Sequence, residues 1–207
     1  MIRPLSAAAR ILAPLVPVVA AATDTRAGRA QRGRPRRRSH AARFRVRRPV
    51  AGVAGLAANG LAVEVASPQV GTVEADRYNA DEPFDAALLA DAAAMQTLRA
   101  TRRIADLRAA DCAAVYIVGG KGAMFDLPGE ASLQRLLADA WSNSAVVAAV
   151  CHGPAPLAEV RLADGTPRVA GRRLTGFSNE EEALFGKRWA AEFPRLLEDA
   201  LRARGAA

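Results

Sequence analysis

Short apolar runs alternate with amphipathic segments through most of this chain, and that order restricts its fold. Three runs of six residues are typical of buried strands: Leu61–Ala66, Ala113–Val118 and Ala145–Val150. Apolar residues at helical spacing predict helices over four segments: Pro83–Leu98, Glu130–Ser142, Gly153–Val160 and Trp189–Leu201. Strands that alternate with helices predict a mostly parallel sheet covered on both faces, so we expect an α/β fold.

Two finer predictions follow from the same patterns. In the helix Glu130–Ser142, four large residues fall on one face and are expected to be buried: Leu133, Leu136, Leu137 and Trp141. Asp164–Gly165 is a turn signal, which predicts a turn between two short strand-like pieces, Val160–Leu162 and Arg168–Leu174.

The charge of the chain is concentrated in its first fifty residues. The 207 residues carry 29 Lys and Arg against 21 Asp and Glu, a formal charge of +8. Residues 1–50 contain 13 Arg and one acid, Asp24, so they carry +12 and the rest of the chain carries −4. We therefore expect residues 1–53 to be a leader that is disordered or foreign to the fold, as an out-of-frame reading would be, and residues 54–207 to form the domain. A solvated tail is favoured over a nucleic-acid arm, because Phe44 is the only aromatic residue there that could stack on bases.

Within this leader, Ile11–Ala22 is the nearest approach to a membrane segment. It has twelve residues, fewer than the roughly eighteen that a span needs, so we expect no membrane partner. Its position after Arg3 and Arg10 is similar to that of a signal peptide, whereas two prolines weaken the helix that such a segment forms. We expect a cytoplasmic protein, with export through residues 1–22 as the alternative.

Cysteine and histidine usage excludes two further classes. Cys112 and Cys151 are too few for a disulfide scaffold. His40 and His152 are the only histidines, and no CxxC or HxxxH spacing occurs, so we expect no metal site. Cys112 directly precedes a predicted strand and is interpreted as structural.

The segment Ala148–Pro154 contains the sharpest chemical signal. A buried strand leads into Cys151, His152, a glycine and Pro154, the order of a nucleophile elbow in which a tight turn lifts the side chain above the sheet edge. Amide groups at a following helix terminus would favour the thiolate and hold an oxyanion, and His152 is a candidate proton shuttle. A small buried cysteine without chemistry is the equal alternative at this point.

A glycine cluster follows the strand before it: Gly119, Gly120, Lys121 and Gly122. Backbone N–H groups in such a loop can point into a crevice at the carboxyl end of a parallel sheet. Taken alone, the cluster is more typical of a tight turn. Together with the cysteine elbow two strand units away, it predicts one crevice lined by both loops.

Three segments carry a resemblance to a known family. GGKGAMFDLP, AAVCHGP and VAGRRLTGFSNEEE occur in the order and spacing of the DJ-1/PfpI superfamily, whose fold is like that of class I glutamine amidotransferases. The resemblance covers roughly residues 56–198 and is nearest to the glyoxalase III and heat-shock-chaperone branch. It implies a three-layer flavodoxin-like α/β sandwich with a mostly parallel central sheet.

The resemblance also implies an activity. Cys151 would be the nucleophile and His152 its partner, with the oxyanion held by the loop Gly119–Gly122 and Glu180 as the acid that orients the histidine. For the acidic segment Ser178–Glu182 the sequence itself favours another role, a helix N-terminus enriched in acids next to an Asn or Ser cap. The implied reaction is a conversion of methylglyoxal to lactate that needs no cofactor and proceeds through a cysteine hemithioacetal. A small reactive aldehyde is then the expected partner, and the resemblance implies a homodimer. Relatives that are deglycases or peptidases leave the substrate class open.

Three departures from the family pattern bear on activity. Lys121 stands where many relatives have His in the glycine loop. The family has a glutamate beside the cysteine, supplied by a segment after the first strand, and this chain has no glutamate before Glu64. Relatives also continue into a further strand and helix, so the domain is expected to be incomplete at both ends and to lack its central first strand. The alternative function is therefore an impaired member that acts as a redox sensor or chaperone-like stress protein.

Overall fold

The fold is organised around one parallel sheet. The computed structural model describes residues 16–20, 43–45, 63–77, 81, 83–185 and 190–207. Five strands of this part form the main sheet: β1 (Val16–Ala20), β3 (Val63–Ser67), β5 (Arg102–Arg103), β6 (Ala114–Val118) and β7 (Val146–Ala149). Their spatial order is β5-β3-β1-β6-β7, and every pairing is parallel. Two further strands, β2 (Arg43–Arg45) and β4 (Glu74–Arg77), pair separately and in parallel.

Apolar side chains on β6 explain its place inside the sheet. Val115 and Ile117 are fully buried, and β7 runs beside them with Ala114 opposite Val146 and Ile117 opposite Ala149. One core cluster surrounds these two residues, and a second gathers around Met124, Phe193 and Leu197. The predicted flavodoxin-like α/β sandwich with a mostly parallel central sheet is confirmed, as are the strands predicted over Ala113–Val118 and Ala145–Val150.

The strand β1 lies in the middle of the sheet, between β3 and β6. Val16 is paired with Val63, and Val18 with Tyr116. The prediction that the sheet lacks its central strand is therefore wrong, because a segment of the arginine-rich leader occupies that place. Most of residues 1–53 lies outside the described residues, so the predicted disorder of the leader and the boundary at residue 53 stay predictions.

The first predicted helix, Pro83–Leu98, is divided in two. Helix α1 spans Pro83–Ala90 and helix α2 spans Ala92–Arg99. Between them Asp91 has an extended backbone, and its carboxylate accepts a hydrogen bond from the Ala94 amide at 2.9 Å. A side chain that caps a new helix start competes with continuation of the preceding helix, which accounts for the break.

Helix α3 is a short turn over Ala123–Asp126, and α4 spans Ala131–Ser142 with Glu130 as its cap. Leu133, Leu136 and Leu137 are buried as predicted. Trp141 is not, since its side chain is 41% exposed and the Arg168 guanidinium lies over its ring. The predicted buried face therefore ends before Trp141, because a cation–π contact with Arg168 stabilises the indole ring at the surface.

No α-helix directly follows β7, since residues 150–178, all within the described part of the chain, contain none. A 3₁₀ helix over Ala155–Ala158 stands where a helix over Gly153–Val160 was predicted. Pro156 has no N–H to donate to the carbonyl four residues earlier, and the segment closes through three-residue bonds such as Leu157 N–H to Pro154 O at 2.9 Å. The other 3₁₀ helices are Ile104–Asp106, Ala109–Asp111 and Leu127–Gly129.

The C-terminal part is more irregular than predicted. Gly165 forms the expected turn with a φ of 81°, but the pairing around it is a single antiparallel bridge, Arg161 to Pro167, and Arg168–Leu174 is not a strand. Helix α5 spans Asn179–Phe185 and helix α6 spans Leu197–Arg202. The predicted helix Trp189–Leu201 is interrupted, since Ala190 is helical but residues 191–196 are not. Within those residues, no helix combines the length and apolarity needed to cross a bilayer.

Candidate functional site

The loop after β7 is a sharp turn that carries Cys151. The Val150 amide still bonds to the Ile117 carbonyl at 3.1 Å, and the chain then reverses with the Gly153 amide donating to the Val150 carbonyl at 2.8 Å. Cys151 has a φ of 60°, and Ser144 is the only other non-glycine residue with a positive φ in the described part of the chain. A left-handed backbone is costly for a side-chain-bearing residue and is the geometry expected of a nucleophile elbow. The tight turn predicted at Cys151 is present, and the role of Cys151 as a nucleophile stays a prediction.

The two loops at this edge of the sheet are in direct contact. A Cβ on Gly119 would lie 2.6 Å from the His152 amide nitrogen and 2.8 Å from the Cys151 Cβ. A Cβ on Gly153 would lie 2.8 Å from the Val150 carbonyl oxygen and would also collide with the Ile117 carbonyl. Only glycine allows such close approach of backbone, so the loop after β6 and the loop after β7 lie directly against each other. That they line one crevice stays a prediction.

His152 connects Cys151 to an acid. Its Nδ1 is 3.4 Å from the Cys151 Sγ, and its Nε2 is 2.5 Å from the Glu182 Oε1. The His152 side chain is 5% exposed and that of Glu182 is 2% exposed. With the carboxylate accepting at Nε2, the proton lies on that nitrogen, and Nδ1 is left to accept the proton of the thiol. Cys151, His152 and Glu182 therefore have the geometry of a nucleophile, a base and an orienting acid.

The acid differs from the residue predicted, because Glu182 rather than Glu180 bonds His152, and Glu180 is exposed. A capping box sets this choice: the Glu181 amide donates to the Ser178 Oγ at 3.1 Å, while the Ser178 amide donates to the Glu181 Oε2 at 2.9 Å. The box fixes where α5 starts, and the first turn then directs Glu182 at the histidine. The N-terminal capping role that the sequence favoured for this acidic segment is thus also confirmed.

Aromatic rings enclose the His152 imidazole. Phe177 is stacked on it with centroids 4.6 Å apart and planes at 27°, and Phe193 meets it edge to face at 5.4 Å. Neither phenylalanine was predicted from the sequence to belong to the site. The signal available for Phe177 was its place in the GFSNEEE segment, five residues before Glu182.

Electrostatics at His152 favour its protonated form. Burial lowers the pKa of His152, but hydrogen bonds to Cys151 and Glu182 outweigh burial and hold that pKa above its ordinary value. Within the described ranges, one oxygen of the acid, Glu182 Oε2, is buried and has no hydrogen-bond partner. A carboxylate removed from water in this way interacts more strongly with the one cation that it does touch.

The candidate hydrogen-bond donors of the glycine cluster are backbone amides. Gly120 has a φ of 134°, and Gly122 precedes α3 as its cap residue. No backbone hydrogen bond within the described residues has the Gly120 amide or the His152 amide as its donor, so both are candidate donors to an oxygen anion. The Lys121 side chain is half-buried.

Two further sequence predictions concern Cys112 and metal binding. Cys112 is buried and donates from Sγ to the Arg108 carbonyl at 3.2 Å, and burial raises the pKa of this thiol to about 11. No group of three or more potential metal-ligating side chains occurs in the described ranges.

Comparisons with known proteins agree with this architecture. A family model described as the DJ-1/PfpI family matches residues 49–200. A glutathione-independent glyoxalase of Saccharomyces cerevisiae is 31% identical over 119 residues, which are 56% of this chain and 45% of that protein. Another, from Schizosaccharomyces pombe, is 37% identical over 75 residues, which are 35% of this chain and 31% of the relative. The chain thus spans less than half the length of these curated relatives.

Two solved structures show the same fold. The crystal structure of glyoxalase III from Candida albicans aligns with a TM-score of 0.70 at 21% identity, covering 93% of this chain and 81% of the other. The X-ray structure of the Rapid Encystment Protein 24 KDa of Francisella tularensis aligns with a TM-score of 0.77 at 21% identity, covering 93% and 82% of the respective chains.

Proposed function

Since this chain belongs to the DJ-1/PfpI family, we propose that it is a glyoxalase that converts methylglyoxal to lactate through a hemithioacetal on Cys151. The observation that carries the proposal is the contact series from the Cys151 Sγ through His152 to Glu182. Curated relatives are named glutathione-independent glyoxalases, and a thiol in the protein is what would replace glutathione. Neither a metal ion nor an organic cofactor takes part in the steps proposed.

The first step is addition of the thiolate to the aldehyde. His152 Nδ1 takes the proton of the Cys151 thiol, and the C–S bond forms as the carbonyl electrons move to the aldehyde oxygen. The amides of Gly120 and His152 stabilise that oxygen anion until the imidazolium returns the proton to it. The product is a hemithioacetal, and His152 is neutral again.

The second step moves a proton between neighbouring carbons. His152 removes the proton from the carbon bonded to sulfur, which gives an enediolate, and returns it to the adjacent former ketone carbon. The hydroxyl proton on the first carbon moves to the oxygen of the second. The resulting carbonyl next to sulfur makes a thioester of lactate. Water then cleaves the C–S bond, which releases lactate and restores the thiol, so the net reaction adds one water to methylglyoxal.

His152 has to handle both protons in this chain. Asp24 is the only acid before Glu64, so the family's glutamate beside the cysteine has no counterpart of the same type in the leader. This observation supports the second candidate function, a redox-sensing or chaperone-like protein that keeps the reactive thiol without turnover. The proposals of a homodimer and of a cytoplasmic location stand unchanged beside either function.

Turnover separates the two functions. Purified protein is incubated with methylglyoxal, and lactate is measured enzymatically while loss of the aldehyde is followed in parallel. We expect Cys151→Ala to lower the rate of lactate formation at least roughly 1,000-fold, and Glu182→Gln to lower it roughly 100-fold or more. Cys112→Ala is the matched control and should retain activity. Folded wild-type protein that leaves the aldehyde unchanged would eliminate the glyoxalase proposal in favour of the second candidate.

A further inference from the structure

The His152 ring is held by an aromatic stack in addition to its two hydrogen bonds. The Phe177 ring lies nearly parallel to the imidazole at 4.6 Å, a favourable stacking distance, whereas Phe193 approaches at 69°. A ring stacked on the face of an imidazole leaves the edge free, and both ring nitrogens of His152 lie on that edge. Phe177 thus restrains the plane of the ring without competing with Cys151 or Glu182.

Phe177 is itself fixed to the cysteine elbow. Its amide donates to the Cys151 carbonyl at 3.0 Å. A Cβ on the preceding residue, Gly176, would lie 3.0 Å from the Leu197 Cδ2 and 3.3 Å from the Pro154 Cγ, so this segment packs closely against the loop. The residue that stacks on His152 is therefore positioned by the same turn that positions the nucleophile.

We propose that Phe177 is a positioning residue, which holds the His152 ring between Cys151 and Glu182 and favours the thiolate–imidazolium pair over the neutral pair. The π face of an aromatic ring attracts a cation, so the stack stabilises the imidazolium more than the neutral imidazole. A fixed ring plane also keeps Nδ1 directed at the sulfur, which a hydrogen bond to Glu182 alone would not ensure. The inference rests on the proposed function only in treating His152 as the base.

Among the described residues, Cys151 and Glu182 are the titratable groups bonded to the His152 ring. The neighbouring acids of α5 and α6 have other surroundings. Glu180 is exposed. Glu181 accepts a hydrogen bond from the Ser178 amide, and Glu198 accepts one from the amide of residue 179.

Alkylation of Cys151 by iodoacetamide tests the proposal without any aldehyde substrate. The rate is measured from pH 5 to pH 9 by mass spectrometry of the peptide that contains Cys151. Cys112 serves as an internal measure of folding, because a buried thiol with a pKa of about 11 is labelled only when the chain opens. The variants are Phe177→Leu and Phe177→Met, which remove the aromatic ring, Phe177→Tyr, which retains it, and Phe193→Leu, which removes only the edge contact.

Both non-aromatic variants should alkylate Cys151 about three- to tenfold more slowly near pH 6, with the midpoint of the profile moved to higher pH, while Cys112 stays unlabelled. Phe177→Tyr should give Cys151 alkylation rates within about twofold of wild type across the pH profile. Phe193→Leu should lower the melting temperature, and it should shift the pH profile of alkylation less than the non-aromatic variants of Phe177 do. A wild-type profile in Phe177→Leu or Phe177→Met would overturn the proposal, and so would an equal shift in Phe177→Tyr.

The same measurement keeps this inference separate from the proposed glyoxalase activity. If the wild type forms no lactate but its alkylation profile moves in the non-aromatic variants, Phe177 is a positioning residue in a protein with another function. If lactate forms and the profile does not respond to loss of the ring, the activity stands and the role assigned to Phe177 falls.

Discussion

The two cysteines lie at opposite ends of neighbouring parallel strands and have opposite surroundings. Cys112 comes two residues before β6 begins, is 8% exposed, and has a thiol pKa raised to about 11 by burial and then by nearby Asp111. Cys151 comes two residues after β7 ends, is half-buried, and bonds to an imidazole at 3.4 Å. The same side chain is therefore an inert packing group at the amino end of the sheet and a candidate nucleophile at its carboxyl end.

The difference follows from what each end of a parallel sheet offers. Connections that leave the carboxyl ends can face each other across a crevice, and here the loops after β6 and β7 touch at Gly119 and Cys151. At the amino end, Cys112 follows a 3₁₀ helix that packs against α4. Its thiol donates a hydrogen bond to the Arg108 carbonyl oxygen. Position in the sheet and the adjacent residue, His152 for Cys151 and Asp111 for Cys112, together set the surroundings of each thiol.

The largest expected effect is the contrast between the two thiols. At pH 7, a thiol with a pKa of about 11 is thiolate in only about one molecule in 10⁴, so Cys151 should react with iodoacetamide at least about 1,000-fold faster than Cys112 in folded protein. Mass spectrometry after timed quenching gives both rates in one sample. Labelling of both residues at similar rates in a folded chain would remove the distinction.

The close contact between the two loops should make Gly119 intolerant of substitution. Gly119→Ala places a methyl group against the backbone of residues 150–152, and we expect a loss of about 2–3 kcal/mol in the free energy of unfolding. Gly129→Ala is the matched control, since a Cβ there meets nothing within 4 Å. Urea unfolding of both variants measures the difference, and equal stabilities would show that the loops are free to separate.

A smaller effect is expected at the cap of α5. Ser178→Ala removes the hydroxyl that accepts from the Glu181 amide and should cost about 1 kcal/mol, with a further decrease in Cys151 alkylation because Glu182 is less well directed at His152. Ser142→Ala, whose hydroxyl bonds only to a carbonyl in its own helix, should stay within about 0.5 kcal/mol of wild type. Unchanged stability and alkylation in Ser178→Ala would show that α5 does not depend on the capping box.

Local patterns were enough to predict the strands β6 and β7, the cysteine elbow and the glycine cluster. Each of these depends on residues that are contiguous in the sequence, such as the apolar run that ends at Cys151. β1 was missed because Pro14 and Pro17 interrupt its apolar run, and a proline within a central strand cannot donate to the ladder.

The acid of the site could not be chosen from three successive glutamates. Glu180, Glu181 and Glu182 are equivalent as residue types, and only the phase of α5 tells which one faces His152. That phase depends on the bonds between Ser178 and Glu181, and the Ser-x-x-Glu spacing was the signal that could have indicated it. Phe177 had no comparable signal, because its stack on His152 joins residues twenty-five positions apart.

The left-handed backbone at Cys151 lowers the free energy of unfolding of this protein at the turn that carries the thiol. A φ of 60° costs a residue with a Cβ about 1–2 kcal/mol, and glycine would adopt it without that cost. Selection for greater thermal resistance would therefore favour Cys151→Gly, which should melt at a higher temperature than Cys151→Ala. In a screen for heat-tolerant variants of this protein, the most readily recovered improvement at this turn would be one that has lost the thiol.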